Sequence, residues 1–274
     1  MMSKIVLVTG GSCELGAATA LALADAGHTA YAGIGPAAGR PHGGTVKGER
    51  YVLTESARLR LLALDLGDQR SVSAAVRDVT AEAGRIDAVI HAVGPVPRGP
   101  VESFTPYQLA QIYDAHVLSA QRVNRAVLPQ MRERRDGLVV WVVPGGHHAD
   151  ATPCLAPHAE AITGTDNLAA SYARELAGFG IEVTIVLSGS SAADGGHHFS
   201  LVHPDDTETA AAYDGWNPGP GGGVDAALAQ RADTDRDIAW TANAITVVVN
   251  GPKGSRPLRV TPAFLADGSE SSAI

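Results

Sequence analysis

Cysteine is nearly absent from this chain of 274 residues: Cys13 and Cys154 are the only two. Two thiols are too few for a disulfide framework, so a reducing, cytoplasmic setting is expected. Long apolar runs are missing as well. None approaches the roughly 18 to 20 residues that span a bilayer, and the opening MMSKIVLVTG lacks the apolar core of a secretion signal. Like charges never gather into a run, and 21 basic residues against 29 acidic ones leave a net charge of −8. That balance argues against a surface that tracks nucleic-acid phosphates or anionic lipid. Lysine is scarce, with Lys4, Lys47 and Lys253 the only ones among 21 basic residues; the skew reads as GC-rich coding and carries no chemistry. What remains is an ordinary globular composition, 45% hydrophobic and 18% charged, of a size one hydrophobic core supports. A single domain over 1–274 is expected, with a small-molecule partner and neither nucleic acid nor membrane.

Short β-branched runs alternate with longer periodic stretches. Strands are predicted at Ile5 to Val8, Thr29 to Ala32, Leu61 to Leu64, Ala88 to His91, Leu138 to Val143 and Glu182 to Leu187. Helices are predicted at Gly16 to Ala26, Ser71 to Ala83, Tyr107 to Arg134 and Ala156 to Ala177. A last helix, Asp237 to Val248, leads through a turn at Asn250 to Ser255 into a final strand, Leu258 to Thr261. Apolar strands joined by helical crossovers imply an α/β fold, a doubly wound parallel sheet covered on both faces. Gly35 to Arg50 reads as a widened loop. The Gly- and Pro-rich segment from Ser188 to about residue 230 leaves the carboxyl end of the sixth strand, where open parallel sheets bind ligands, and is the candidate lid.

Thr9-Gly10-Gly11-Ser12-Cys13-Glu14-Leu15-Gly16 joins the first strand to the first helix. Glycines there let backbone approach a pyrophosphate, and the helix amino terminus offers free N–H groups and a positive dipole end. With this loop the chain resembles the short-chain dehydrogenase/reductase family, whose pattern there is Thr-Gly-x-x-x-Gly-x-Gly. Further matches are Asp65-Leu66, His91-Ala92-Val93-Gly94 where the family has Asn-Asn-Ala-Gly, and QRVNRAVLPQMRER ahead of the fifth strand. The resemblance implies a Rossmann-like fold, an NAD(P) site at Gly10, Ser12, Glu14, Gly16, Asp65 and Gly94, and a homodimer or homotetramer packed through apolar outer faces of the two long helices.

The positions that do the work in that family differ here. Glu14 stands for the glycine beside the pyrophosphate. Gly33-Ile34-Gly35-Pro36 follows the second strand where the family carries an acid or arginine, with Arg40 the nearest cation. Pro-Gly after the sixth strand becomes Ser188-Gly189, and Ala192 takes the place of a threonine. The family's catalytic tetrad Asn, Ser, Tyr, Lys aligns with His116, Gly145, His158 and Ile162. A lysine one turn from a tyrosine makes its anion available near neutral pH. Histidine titrates near 6.5 unaided, and an isoleucine beside it favours the neutral ring, so the exchange is coherent for moving protons without hydride.

Eight of ten histidines lie on segments leading to the carboxyl edge of the sheet: His91, His116, His147, His148, His158, His197, His198 and His203. His158 is the expected acid/base and His116 its partner. Gly145, His147, His148, Ile162, His197 and His198 are expected to line the substrate pocket. Adjacent histidines do not make a zinc spacing, so no metal is expected. Phe104, Trp141, Tyr213 and Trp216 fit either a pocket lining or the core. Three readings follow: a non-redox enzyme working on a carbonyl compound by dehydration, isomerisation, cyclisation or lysis; a catalytically silent ligand- or nucleotide-binding protein; and an atypical NADP(H)-dependent reductase. The first needs no cofactor for redox, and residual NAD(P) binding is left open.

Overall fold

The computed structural model describes residues 2–36, 45–47, 51–92, 94–144, 154–188, 201–213 and 234–261. In chain order these form β1 (Ile5–Val8), α1 (Glu14–Asp25), β2 (Thr29–Ile34), β3 (Thr45–Lys47), β4 (Val52–Thr54), β5 (Leu59–Ala63) and α2 (Gln69–Ala83). There follow β6 (Ala88–His91), β7 (Val96–Pro97), α3 (Pro106–Tyr113), a π turn (Asp114–Leu118), α4 (Ser119–Arg134), β8 (Gly137–Pro144) and α5 (Ala156–Ala177). The described chain ends with β9 (Ile181–Ser188), β10 (Leu201–Val202), α6 (Thr207–Ala211), α7 (Thr234–Asn250) and β11 (Arg259–Val260).

Seven strands make one parallel sheet in the order β11-β9-β8-β6-β1-β2-β5. Alternate side chains along each strand go to opposite faces, and both faces are buried. Leu7, Val89, Val139 and Trp141 pack on one side with Val72 and Val76 of α2, Val123 and Val127 of α4, and Ile162 and Ala169 of α5. Val6, Val8, Ile90 and Val140 pack on the other with Ala20 and Leu23 of α1 and Ile245 and Val248 of α7. Each Val, Leu or Ile so buried stabilises the fold by about 1.5–3 kcal/mol before entropy is counted. The doubly wound α/β expectation is met, and strand order reverses between β1 and β6, opening the ligand crevice there.

Four expectations change. The stretch read as one helix, Tyr107 to Arg134, is broken by the π turn: the Ser119 N–H donates to the Asp114 carbonyl five residues back. The widened loop contains a small antiparallel hairpin, Thr45–Lys47 with Val52–Thr54, because Val46 and Leu53 bury against the α1 side of the sheet. Within the candidate lid, Leu201–Val202 pairs in parallel with Val96–Pro97, and Gln108 donates to the His203 carbonyl and accepts from Asp205 N. That part of the lid is bonded to the body of the protein. The outward faces of α4 and α5 are polar, with Arg125, Arg132, Glu133, Glu160, Asn167 and Arg174 exposed, while exposed Tyr107, Leu109 and Tyr113 lie on α3. Among the described residues no helix is long and apolar enough to cross a membrane.

Candidate active site

β1 stops where Thr9 turns back: its N–H and hydroxyl both donate to the Ile90 carbonyl of β6. The chain then bends through Gly10 to Cys13, whose N–H donates to the Gly10 carbonyl, and enters α1. Helix and strand approach so closely that a Cβ at Gly16 would sit 1.9 Å from the Gly10 oxygen. Only glycine fits. The Cys13 sulfur caps the helix by accepting from Gly16 N and donates to the Ala92 carbonyl, tying the turn to β6. Burial pushes this thiol up to about 11, so it is a neutral cap and not a nucleophile. Ser12 is exposed beside Gly35, and Glu14, the first residue of α1, is buried at 7% exposure. Its carboxylate suits the positive end of the helix dipole, the place where an open α/β sheet of this order otherwise receives a phosphate. Asp65 is spent locally, accepting from Gly67 N at 2.9 Å to close a turn.

At the carboxyl ends of β6, β8 and β9 lies a pocket walled by Leu15, Ala92, Gly94, Val142, Pro144 and Ile162. His116, His158 and Ser188 complete it. The pocket is small and opens to solvent. The two histidines reach it by different routes. His158 occupies the first turn of α5, four residues before Ile162, so the two side chains share one face. His116 rides the π turn and is held by a 2.7 Å hydrogen bond between Nε2 and the Pro95 carbonyl. A carbonyl can only accept, so Nε2 carries the hydrogen and Nδ1 is left with the lone pair. The rings meet edge to face with centroids 5.5 Å apart. Burial lowers the His116 pKa below the ordinary imidazole value, the Pro95 bond opposing, so this ring is neutral at neutral pH. The π turn is braced from outside by Asp114 and Arg122, paired at 2.6 and 3.1 Å, with Arg122 also donating to the Leu66 carbonyl.

Of the residues expected at the site, His116, His158, Ile162 and Gly94 converge on one pocket, and Gly10, Ser12, Glu14 and Gly16 share the adjoining turn. Gly145, His147, His148, His197 and His198 lie outside the described residues, as do Arg40, Asp150, Ala192 and Trp216. His91 does not reach the crevice. It ends β6 on the α4 face, 4.6 Å from Trp141 between centroids, with Nε2 hydrogen-bonded to Asn124 Oδ1 at 2.9 Å. Burial pulls its pKa down to about 4. His203 is exposed. Trp141 and Phe104 are core residues, and the Tyr213 hydroxyl donates to Glu102. Among the described residues no three His, Cys, Asp or Glu side chains come together as a metal site. The sequence reading missed Leu15, Ala92, Val142, Pro144 and Ser188. Their place at strand ends and at the helix entry was the available signal.

Comparison with known proteins gives this geometry relatives. A family model described as short chain dehydrogenase matches residues 4–199. An oxidoreductase of Botryotinia fuckeliana, BOA17, is 29% identical over 193 residues, covering 70% of this chain and 68% of the relative. A crystal structure of a short-chain dehydrogenase from Streptomyces avermitilis superposes with a TM-score of 0.69 at 26% identity, covering 94% of this chain and 88% of the other. A metagenomic short-chain oxidoreductase solved in complex with NADP has the same fold, with a TM-score of 0.66 at 17% identity over 94% and 96% of the two chains. With the family pattern running over residues 4–199, and the parallel sheet and β1–α1 turn in place, this chain belongs to the short-chain dehydrogenase family.

Proposed function

We propose that this protein is an enzyme that moves protons on a carbonyl-bearing small molecule without transferring hydride. The observation that carries this reading is the pairing of His116 and His158 in one pocket. In the proposed step a His158 nitrogen takes a proton from the carbon next to the substrate carbonyl, and the C–H electron pair moves into the carbonyl as an enolate. The imidazolium then returns the proton to another carbon, which is isomerisation, or to a leaving group expelled from the β-carbon, which is elimination. Electrons stay within the substrate throughout, so no oxidant or reductant is consumed. His116, neutral and fixed in its Nε2–H form, orients the His158 ring and leaves the centre uncharged.

NAD(P) is the group the family implies, and the residues here do not fit it as a hydride carrier. A buried carboxylate, Glu14, stands at the helix end that would face the pyrophosphate, and Ile162 stands one turn from His158 where a cation would assist a proton relay. No step is therefore routed through a dinucleotide. A second reading, an NADP(H)-dependent reductase with His158 as proton donor, is favoured by the intact Gly10–Gly16 contact and by the oxidoreductase relatives.

One pair of measurements separates them. α-Hydrogen exchange of a ketone panel in D2O, followed by NMR, is expected to be catalysed by the wild type and reduced at least about 100-fold in His158→Ala. NADPH oxidation with the same ketones is expected to be absent. Carbonyl-dependent NADPH oxidation without exchange would establish the reductase, and neither activity would leave a binding protein. A homodimer or homotetramer is the assembly we propose, to be checked by light scattering. Contacts that include α3 are the ones we propose, supported by the polar faces of α4 and α5 and the apolar exposure on α3.

A further inference from the structure

We propose that the pocket takes a neutral, largely apolar carbonyl compound whose oxygen is held by the hydroxyl of Ser188, with its hydrocarbon body against Leu15, Val142 and Ile162. The proposal rests on the carbonyl reading above and adds the binding residue and the substrate class. Ser188 ends β9, lines the pocket and is 7% exposed, and its Oγ has no hydrogen-bond partner among the described residues. An unsatisfied buried hydroxyl is costly and uncommon, and here it belongs to a residue that lines the pocket. A serine hydroxyl donates one hydrogen, which is what a carbonyl oxygen requires.

The rest of the lining narrows the ligand. Among the described pocket residues there is no Lys, Arg, Asp or Glu. A carboxylate or phosphate in that place would be desolvated without a counter-charge, and an ammonium group equally so. His116 supplies no compensating positive charge, because burial keeps it neutral. Leu15, Val142 and Ile162 present aliphatic surface from α1, β8 and α5, so the ligand touches three elements at once. Leu15 lies in the first turn of α1, directly after the β1–α1 turn. The apolar end of the ligand therefore reaches the ground on which a dinucleotide of this fold would lie.

The test is a titration of the purified full-length protein with carbonyl-13C cyclohexanone, read by the carbon resonance, with cyclohexanecarboxylate as the anionic match. Saturable binding of the ketone with a downfield shift of its carbonyl carbon is expected, and no saturation by the carboxylate. Ser188→Ala should weaken ketone binding about tenfold and abolish the shift. Ser188→Ala removes an unsatisfied group, so its thermal midpoint should not fall; Ser188→Thr, which keeps the hydroxyl, should retain the shift. The proposal is overturned if the carboxylate binds as well as the ketone, if the ketone fails to saturate, or if Ser188→Ala leaves affinity and shift unchanged. Because binding is read without turnover, this result stands apart from the exchange experiment: loss of α-exchange with retained Ser188-dependent binding defeats the proton-transfer reading alone.

Discussion

His116 and His158 face each other edge to face at 5.5 Å, one carried by a π turn and the other by the first turn of a long helix. Neither element alone makes the pair, so their effects should be coupled. His158→Ala is expected to lower α-exchange by about 10² to 10⁴, and His116→Ala by less. The double variant should be no worse than His158→Ala, because residues acting as a unit are not additive. A double variant slowed by the product of the two single effects would separate them.

The acid limb of the activity profile tests the state of His116. Its pKa is lowered, so it remains a neutral ring below the usual imidazole value of about 6.5. Protonation of His116 should therefore depress kcat only below pH 6.5, and the acid limb of His116→Gln should differ from that of the wild type while the alkaline side is unchanged. The profile is measured between pH 4.5 and 8, with circular dichroism at each pH to check that the fold is intact.

Stability should fall in acid through His91. The unfolded chain takes up a proton near pH 6.5, whereas the folded ring does so only near pH 4. Between those values the unfolded state binds more protons, so folding free energy declines as the pH drops, by about 3 kcal/mol across the window. His116 contributes in the same direction. Urea midpoints at pH 7 and pH 4.5 for wild type and His91→Gln check this, the variant being less stable at pH 7 but flatter with pH.

Glu14 provides a direct probe of the phosphate end of the crevice. Glu14→Gly should tighten NADPH binding about tenfold or more by calorimetry, with Glu14→Gln intermediate, since a carboxylate near the helix end opposes a second anion. Equal affinities would place the carboxylate away from the phosphates.

The bidentate pair of Arg259 and Asp166, at 2.6 and 2.8 Å, fixes β11 to α5. Asp166 is 3% exposed and Arg259 about a third exposed, so solvent screens part of the interaction. Arg259→Met is expected to cost about 1–3 kcal/mol in a chemical denaturation curve, much of it from a carboxylate deprived of its cation.

At Gly94 the prediction is steric. With φ at +149°, an added Cβ would fall 2.1 Å from the His116 ring. Gly94→Ala should lower stability by about 2 kcal/mol and shift the His116 ring resonances, as seen by NMR.

The strands were legible because buried parallel strands are continuous apolar runs: Ala88 to His91 and the helix Ala156 to Ala177 coincide with their observed bounds. The hairpin at Val46 and Leu53 was not, since three-residue strands leave no period to read. Nor was the π turn, one of whose contacts, from His116 to the Pro95 carbonyl, spans 21 residues and leaves no mark in the local sequence. At the site, His116, His158 and Ile162 were found from spacing against a family pattern. His91 was misplaced because strand alternation puts it on the α4 face, beneath the crevice and beside Trp141. Ser188 was noted only as a departure from the family's Pro-Gly, because a lone serine at a strand end gives no sign of lining a pocket until its surroundings are known.

The π turn at Asp114–Leu118 has a consequence for the chain's tolerance of deletion. One residue more than an α turn is wound into it, so removing Val117 or Leu118 would let α3 run into α4 as an ordinary helix. Everything on the α3 side of the cut would then rotate by about 100° relative to α4. His116, on that side, would be turned away from His158, while α2, α4 and the sheet keep their packing. A single codon loss at this point would thus disconnect the chemistry from a scaffold that still folds, which makes the length of this segment, as much as its histidine, the feature that drift has to respect.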